Sequence, residues 1–179
     1  MDDKKIYKIL QHWFPLLRNA EVPKKKDRQS FETFLQWMDA AVFGNQCYLM
    51  KMKPDHFFDN ELEKSTIFQD ERVDIECLKQ KIIAKAQPIL EHYEQHKNVI
   101  GRYYNVHDQV LDIVLEEILD LAQQYKFELL LIYAEDYYWL LVPDDEAKIE
   151  KFCKAFSKQF KHQEIKIEHY EKYQCSRST

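Results

Sequence analysis

Glycine is nearly missing. The 179 residues hold only Gly44 and Gly101, where ordinary composition would supply roughly 12. Tight turns and backbone cradles for phosphate both lean on glycine, so nucleotide-binding loops are not expected. No GxSxG, P-loop or dinucleotide fingerprint occurs. The four cysteines, Cys47, Cys77, Cys153 and Cys175, form no CxxC pair, and none sits beside a histidine at a zinc-knuckle spacing. No run approaches the ~18 apolar residues of a membrane span. The opening "MDDKKIYKIL" has no apolar signal core and no cleavage site. These absences lead to the expectation of a reduced, cytoplasmic protein with free thiols and no membrane partner.

What is present suits a packed core. Apolar residues make up 45% and aromatics 14%, and the 32% of charged residues mix both signs, so disorder is not expected. The length fits a single domain over 1–179. Charge is unevenly spread. Residues 1–104 hold 17 bases and 16 acids, residues 105–150 hold 2 and 12, and residues 151–179 hold 7 and 3. The middle block therefore carries −10, against +1 before it and +4 after it, within a whole-chain charge of −5.

Helical spacing of Ile6, Ile9, Leu10, Trp13, Phe14 and Leu17 predicts a first helix, ended near Trp13 by Pro15. A second stripe, Phe31, Phe34, Leu35, Met38, Ala41 and Val42, predicts another. Asp27 or Ser30 is its candidate N-cap, and Gly44 suits the position past its end. Residues 45–73 are the least legible. "QCYLMKM" fits a short strand, and "KPDHFFDNELEKSTIFQDE" reads as loop with a helical turn. Asp74 is a candidate cap for a helix carrying Ile75, Leu78, Ile82, Ile89, Leu90 and Tyr93, bent at Pro88. "NVIGRYYN" connects it to a helix from about Asp108 to Tyr125.

Two apolar runs, Phe127–Tyr133 and Tyr137–Val142, predict a hairpin whose faces are both covered. A helix with Ile149, Phe152, Cys153, Phe156 and Phe160 on one side follows, then the alternating "EIKIEHY" as a further strand and a frayed "QCSRST". The expected fold class is α+β. A mostly helical part, 1–104, precedes an α-β-β-α-β unit, 105–179, with a small, partly antiparallel sheet.

The helix from 108 carries the chief anomaly. Asp108, Asp112, Glu116 and Asp120 recur every four residues, and positions four apart share a helix face with a drift of about 40° per step. Three like-charge pairs cost roughly 1 kcal/mol together. Three readings stay open: a solvated outer face, a face neutralised by Lys148, Lys151, Lys154 and Lys158 of the next helix, or an anionic surface for a basic partner. The turn "YAEDYYW" places Glu135 and Asp136 among aromatics, residue types enriched at interfaces. Of Tyr138 and Trp139, one is expected inward and one outward.

Other candidates are weaker. His92 and His96 stand at i,i+4, but the sequence is not HExxH and offers no clear third ligand, so no metal is expected. Cys153 lies on an apolar stripe, which favours an inert thiol; Cys47 is the one candidate reactive cysteine. The run "KKKDR" at 24–28 is short, and the acidic block would repel phosphate, so no nucleic-acid partner is expected.

In being small, acidic, aromatic-rich and glycine-poor, with an anionic helix and the "YAEDYYW" hairpin, the chain resembles bacterial immunity proteins, which neutralise toxins passed between competing cells. That resemblance implies a cytoplasmic inhibitor that binds a cognate toxin stoichiometrically, without a cofactor; an acidic inhibitor suits a toxin with a basic surface. The candidate contact residues are Asp112, Glu116, Asp120, Glu135, Asp136 and Tyr137. The alternatives are a small enzyme with an unrecognised site, for which a cleft around His92, His96 or Cys47 would speak, and an adaptor or structural subunit.

Overall fold

The longest apolar runs of the chain become the centre of a sheet. The computed structural model describes residues 4–40, 46–52, 61–100 and 105–172. Its helices are α1 (Lys5–Trp13), α2 (Phe31–Ala40), α3 (Thr66–Asp70), α4 (Ile75–Ile100), α5 (Val106–Gln124) and α6 (Glu146–Gln159). Its strands are β1 (Leu49–Lys51), β2 (Phe127–Tyr133), β3 (Tyr137–Pro143) and β4 (Lys166–His169). The class is α+β with a helical N-terminal part, as expected. The strands lie in the order β1-β3-β2-β4, and each pairing among them is antiparallel, so the sheet is not mixed. β3 and β4 run parallel to each other with β2 between them, and α6 is the crossover.

Leu129 to Ile132 of β2 and Trp139 to Val142 of β3 are all buried. Successive strand residues point to opposite faces, so both faces must be covered. On one face Tyr138 meets Phe31 of α2 at 6.0 Å, and Phe31 meets Phe156 and Phe160 of α6. Trp13 of α1 joins the same layer through Phe152. On the other face Trp139 meets Phe68 of α3, and α5 packs along β2. The molecule is thus a sheet between two helical layers, α1/α2/α6 and α3/α4/α5. Trp139 is inward, but Tyr138 is not turned outward as expected: it is half-buried and packs against Phe31 of α2, because both faces of the sheet are covered.

Helix limits follow local chemistry. Pro15 opens a 3-10 turn, Pro15–Leu17, just after α1 ends at Trp13. Ser30, not Asp27, caps α2: its hydroxyl accepts from the Thr33 amide at 3.2 Å. Asp74 accepts from the Cys77 amide at 2.9 Å and starts α4, which continues through Pro88 without ending. α5 begins earlier than its first acid, because Asn105 is its cap. Part of the illegible stretch resolves into a 3-10 turn, Leu62–Lys64, and α3, whose cap is Ser65. Where glycine would be usual, Glu61, Arg72, Lys126 and Glu164 take positive φ. The expected Ala41, Val42 and Gly44 roles, the "KPDHFFDN" loop, "GRYY" of the "NVIGRYYN" connector and the frayed "QCSRST" lie outside the described residues, and the start of that connector is helix, since α4 runs on to Ile100.

The far end of the α4–α5 hairpin has a cluster of its own. Ala86, Val106 and Val110 pack there with Ile89, Leu90, Tyr93 and Ile113, separate from the main core. Among the described residues only neighbouring helix turns bury this cluster, which makes this end the less strongly anchored part of the hairpin.

Candidate functional site

The apolar arc of α5 decides where its acids go. Val114, Leu115, Ile118 and Ala122 face the main core, while Val106 and Val110 face α4. Asp108, Asp112, Glu116 and Asp120 fall outside that arc and wind along the outer side of the helix. Asp108 and Asp112 are exposed, and Glu116 and Asp120 are half-buried.

These acids do not share one environment. Glu117, one residue off the row, is turned inward and only 6% exposed, where Lys85 of α4 pairs with it. Asp120 pairs with Lys172, just beyond β4. Asp108 accepts a hydrogen bond from the Asn105 side chain at 2.6 Å, which supplies no charge. Asp112 and Glu116 have no ion pair among the described residues. Partial burial and then the charge of Asp108 push the Asp112 carboxyl above its usual range. The hydrogen bond to Glu117 raises the Lys85 ammonium, helped by Asp120 and Glu116.

The lysines of α6 are not the neutralising set. Lys148 pairs with Asp145 at 3.0 Å and Lys154 pairs with Glu150, both within their own helix. α6 covers the other face of the sheet, so the whole sheet lies between it and α5. The ion pairs come instead from Lys85 of α4 and from Lys172, three residues past β4, and among the described residues they fall on Glu117 and Asp120.

The turn between β2 and β3 is a separate place. Ala134 to Asp136 close it, with the Ala134 amide donating to the Asp136 carbonyl at 3.0 Å. Asp136 is bound by Lys51 of β1 at 2.6 Å. Glu135 is exposed and has no ion pair among the described residues. Both acids line a groove with α2, on the α2/α6 side of the sheet. Tyr137 alternates to the other side, where its ring meets Tyr133 at 5.4 Å. Tyr133 donates to Glu168 of β4 at 2.5 Å, and burial followed by that bond pushes its phenol well up. The six expected contact residues are therefore two groups: Asp112, Glu116 and Asp120 on α5, and Glu135, Asp136 and Tyr137 at the turn, with the two turn acids across the sheet from α5.

The rings of His92 and His96 lie 4.4 Å apart, and His96 Nδ1 contacts the His92 carbonyl at 2.9 Å. Among the described residues no set of three histidine, cysteine or acidic side chains could hold a metal. Burial pushes the Cys153 thiol up to about 11. Cys47 is likewise pushed up to about 11, by burial and by Glu61. It does sit in a groove of about 380 Å³ with Asp39, Glu61, Lys64 and Tyr138, and burial and Glu61 also raise the Asp39 carboxyl.

Sequence spacing missed several of these partners. Glu117, which spacing places on the flank of the ridge, turns inward instead, although the roughly 100° that one residue adds past Glu116 toward the apolar arc was legible. Lys85, Lys172 and Lys51 were not, since each meets its acid through long-range packing. No helix among the described residues is long and apolar enough to cross a membrane. No family model, curated protein or solved structure matches the chain.

Proposed function

We propose that this chain is a cytoplasmic, stoichiometric inhibitor of the immunity-protein kind, and that it grips a cationic toxin through the Asp108–Glu116 stretch of α5. The observation that carries this reading is the contrast along one helix. Glu117 and Asp120 are paired with lysines, while Asp112 has no ion pair among the described residues and Glu116 lies within the field of Lys85 without pairing with it. Like charges at this spacing cost stability. A basic partner would remove that cost on binding and would be drawn in by the same field. Asp112 and Glu116 are the central contacts and Asp108 extends them. Asp120 joins only where the partner displaces Lys172. Glu135, Asp136 and Tyr137 are not needed for this docking.

The test is capture from lysate of the source cell, with the native chain and an Asp112→Lys/Glu116→Lys chain side by side. The native chain should retain a basic protein, and the reversed chain should bind it at least tenfold more weakly while melting within a few degrees of the native. Equal binding by the two would contradict the reading. Binding should also weaken as salt rises, because exposed charges are screened.

The groove at Cys47 is the one observation that favours an enzyme instead. Its raised thiol opposes nucleophilic use, since the thiolate is the reactive form. Rapid alkylation of Cys47 at neutral pH, faster than that of exposed Cys77, would revive the enzyme reading.

A further inference from the structure

The acids at the β2–β3 turn sit over an aromatic floor. The N-terminal half of α2 and the turn enclose a groove of about 510 Å³. Phe31 and Leu35 of α2, Tyr138 of β3 and Ile165 supply most of its apolar lining; Glu32, Glu135 and Asp136, with the neutral Gln163, supply its polar lining. Phe31 and Tyr138 meet edge to face, with ring centres 6.0 Å apart and planes at 73°. Phe31 is held from behind by Phe34, Phe156 and Phe160, so the floor is rigid.

The rim is under-compensated. Lys51 answers Asp136 at 2.6 Å. Among the described residues Glu32 accepts only from the neutral Gln36 side chain, at 3.3 Å. Glu135 has no ion pair among the described residues. Among the described residues three carboxylates thus face one lysine, and their residual charge at the groove is negative. Burial and Asp136 raise the Tyr138 phenol, so it stays neutral at ordinary pH. Glu32 has a second reason to be where it is, since an acid in the first turn of a helix is favoured by the helix dipole. Glu135 has no such role, and it carries more of the weight.

We propose that this groove receives an arginine side chain from a protein partner. An arginine stem is apolar and its head is always charged, which matches an apolar floor under an acidic rim. The stem lies along Phe31 and Leu35. The guanidinium meets Glu135 and Glu32, where charge-assisted hydrogen bonds are the strong kind, and its plane rests against Tyr138. A lysine ammonium fits less well, because it neither stacks nor reaches two carboxylates in a fixed fork. The inference does not rest on the α5 surface: the groove lies across the sheet from it and has separate residues.

The experiment uses the full chain and three probe tripeptides, each capped at both ends: Gly-Arg-Gly, Gly-Lys-Gly and Gly-citrulline-Gly. Amide chemical shifts are followed during titration at low salt. The arginine peptide should move the signals of residues 31–35 and 134–138. The lysine peptide should bind at least threefold more weakly, and the citrulline peptide at least tenfold more weakly. Glu135→Gln should weaken the arginine peptide at least threefold, and Glu32→Gln/Glu135→Gln should abolish the shifts. Asp112→Asn/Glu116→Gln should leave them unchanged, which separates this site from the α5 surface. The proposal is overturned if citrulline binds as well as arginine, if the shifts fall on α5, if no shifts occur, or if the double substitution at the groove changes nothing.

Discussion

The first and second halves of α5 carry the same kind of residue and meet opposite surroundings. In the second half the helix lies between α4 and the end of β4, and Lys85 and Lys172 come to meet Glu117 and Asp120. The first half packs mainly on α4 through a small cluster, and Asp112 has no ion pair there among the described residues; Glu116, just past the midpoint, lies within the field of Lys85 without pairing with it. A regular row of acids therefore holds two physical situations. Where tertiary packing supplies lysines, acids become part of the fold. Where it does not, they remain a negative surface that costs stability.

Removing a cation from the second half should have the largest effect. Lys85→Met leaves the Glu117 carboxylate 6% exposed and without its partner. A charged hydrogen bond of this kind is worth about 2 kcal/mol, which should appear as a lower urea midpoint with an unchanged slope. Lys172→Met touches a pair exposed on both sides, and should change stability by no more than about 0.5 kcal/mol. Equal effects would mean that burial of Glu117 does not distinguish the two pairs.

In the first half the sign reverses. The Asp112 carboxyl is raised in the fold, so the native chain holds that proton to higher pH than the unfolded chain does. Its contribution to stability is present below the ordinary aspartate range and is lost as pH rises through the raised value. At neutral pH the charge is a net cost, and Asp112→Asn should stabilise by about 0.5 kcal/mol through loss of its like-charge neighbours. Thermal melts should show a gain of about 1–2 °C at pH 7 and almost none near pH 3. A loss of stability at pH 7 would mean that a cation already faces Asp112.

The sheet and most helices were legible because apolar periodicity and burial are the same fact seen twice. The continuous runs of β2 and β3 could only be covered on both faces, and they are. Proline and cap residues marked the ends of α1 and the starts of α2 and α4. The region around Cys47 was opaque, since its short 3-10 turn and α3 bury just the apolar Leu62, Ile67 and Phe68 beside the polar Ser65 and Thr66 and show no repeat. At the candidate site the row of acids was visible, but not its partners. Lys85 lies 32 residues before Glu117, and Lys51 meets Asp136 only because β1 joins the edge of β3. The α6 lysines looked close in sequence and lie on the far layer. The turn acids read as one surface with α5, yet strand alternation and the covering of α2 put them across the sheet.

Carboxylate labelling with a carbodiimide and an amine, read residue by residue by mass spectrometry, tests the central claim most directly. In the free chain Asp108, Asp112 and Glu116 should label fast and Glu117 slowly. Once the captured partner is bound, those three should become protected. Slow labelling of Asp112 and Glu116 in the free chain, or unchanged labelling of both in the complex, would contradict an open acidic surface on α5.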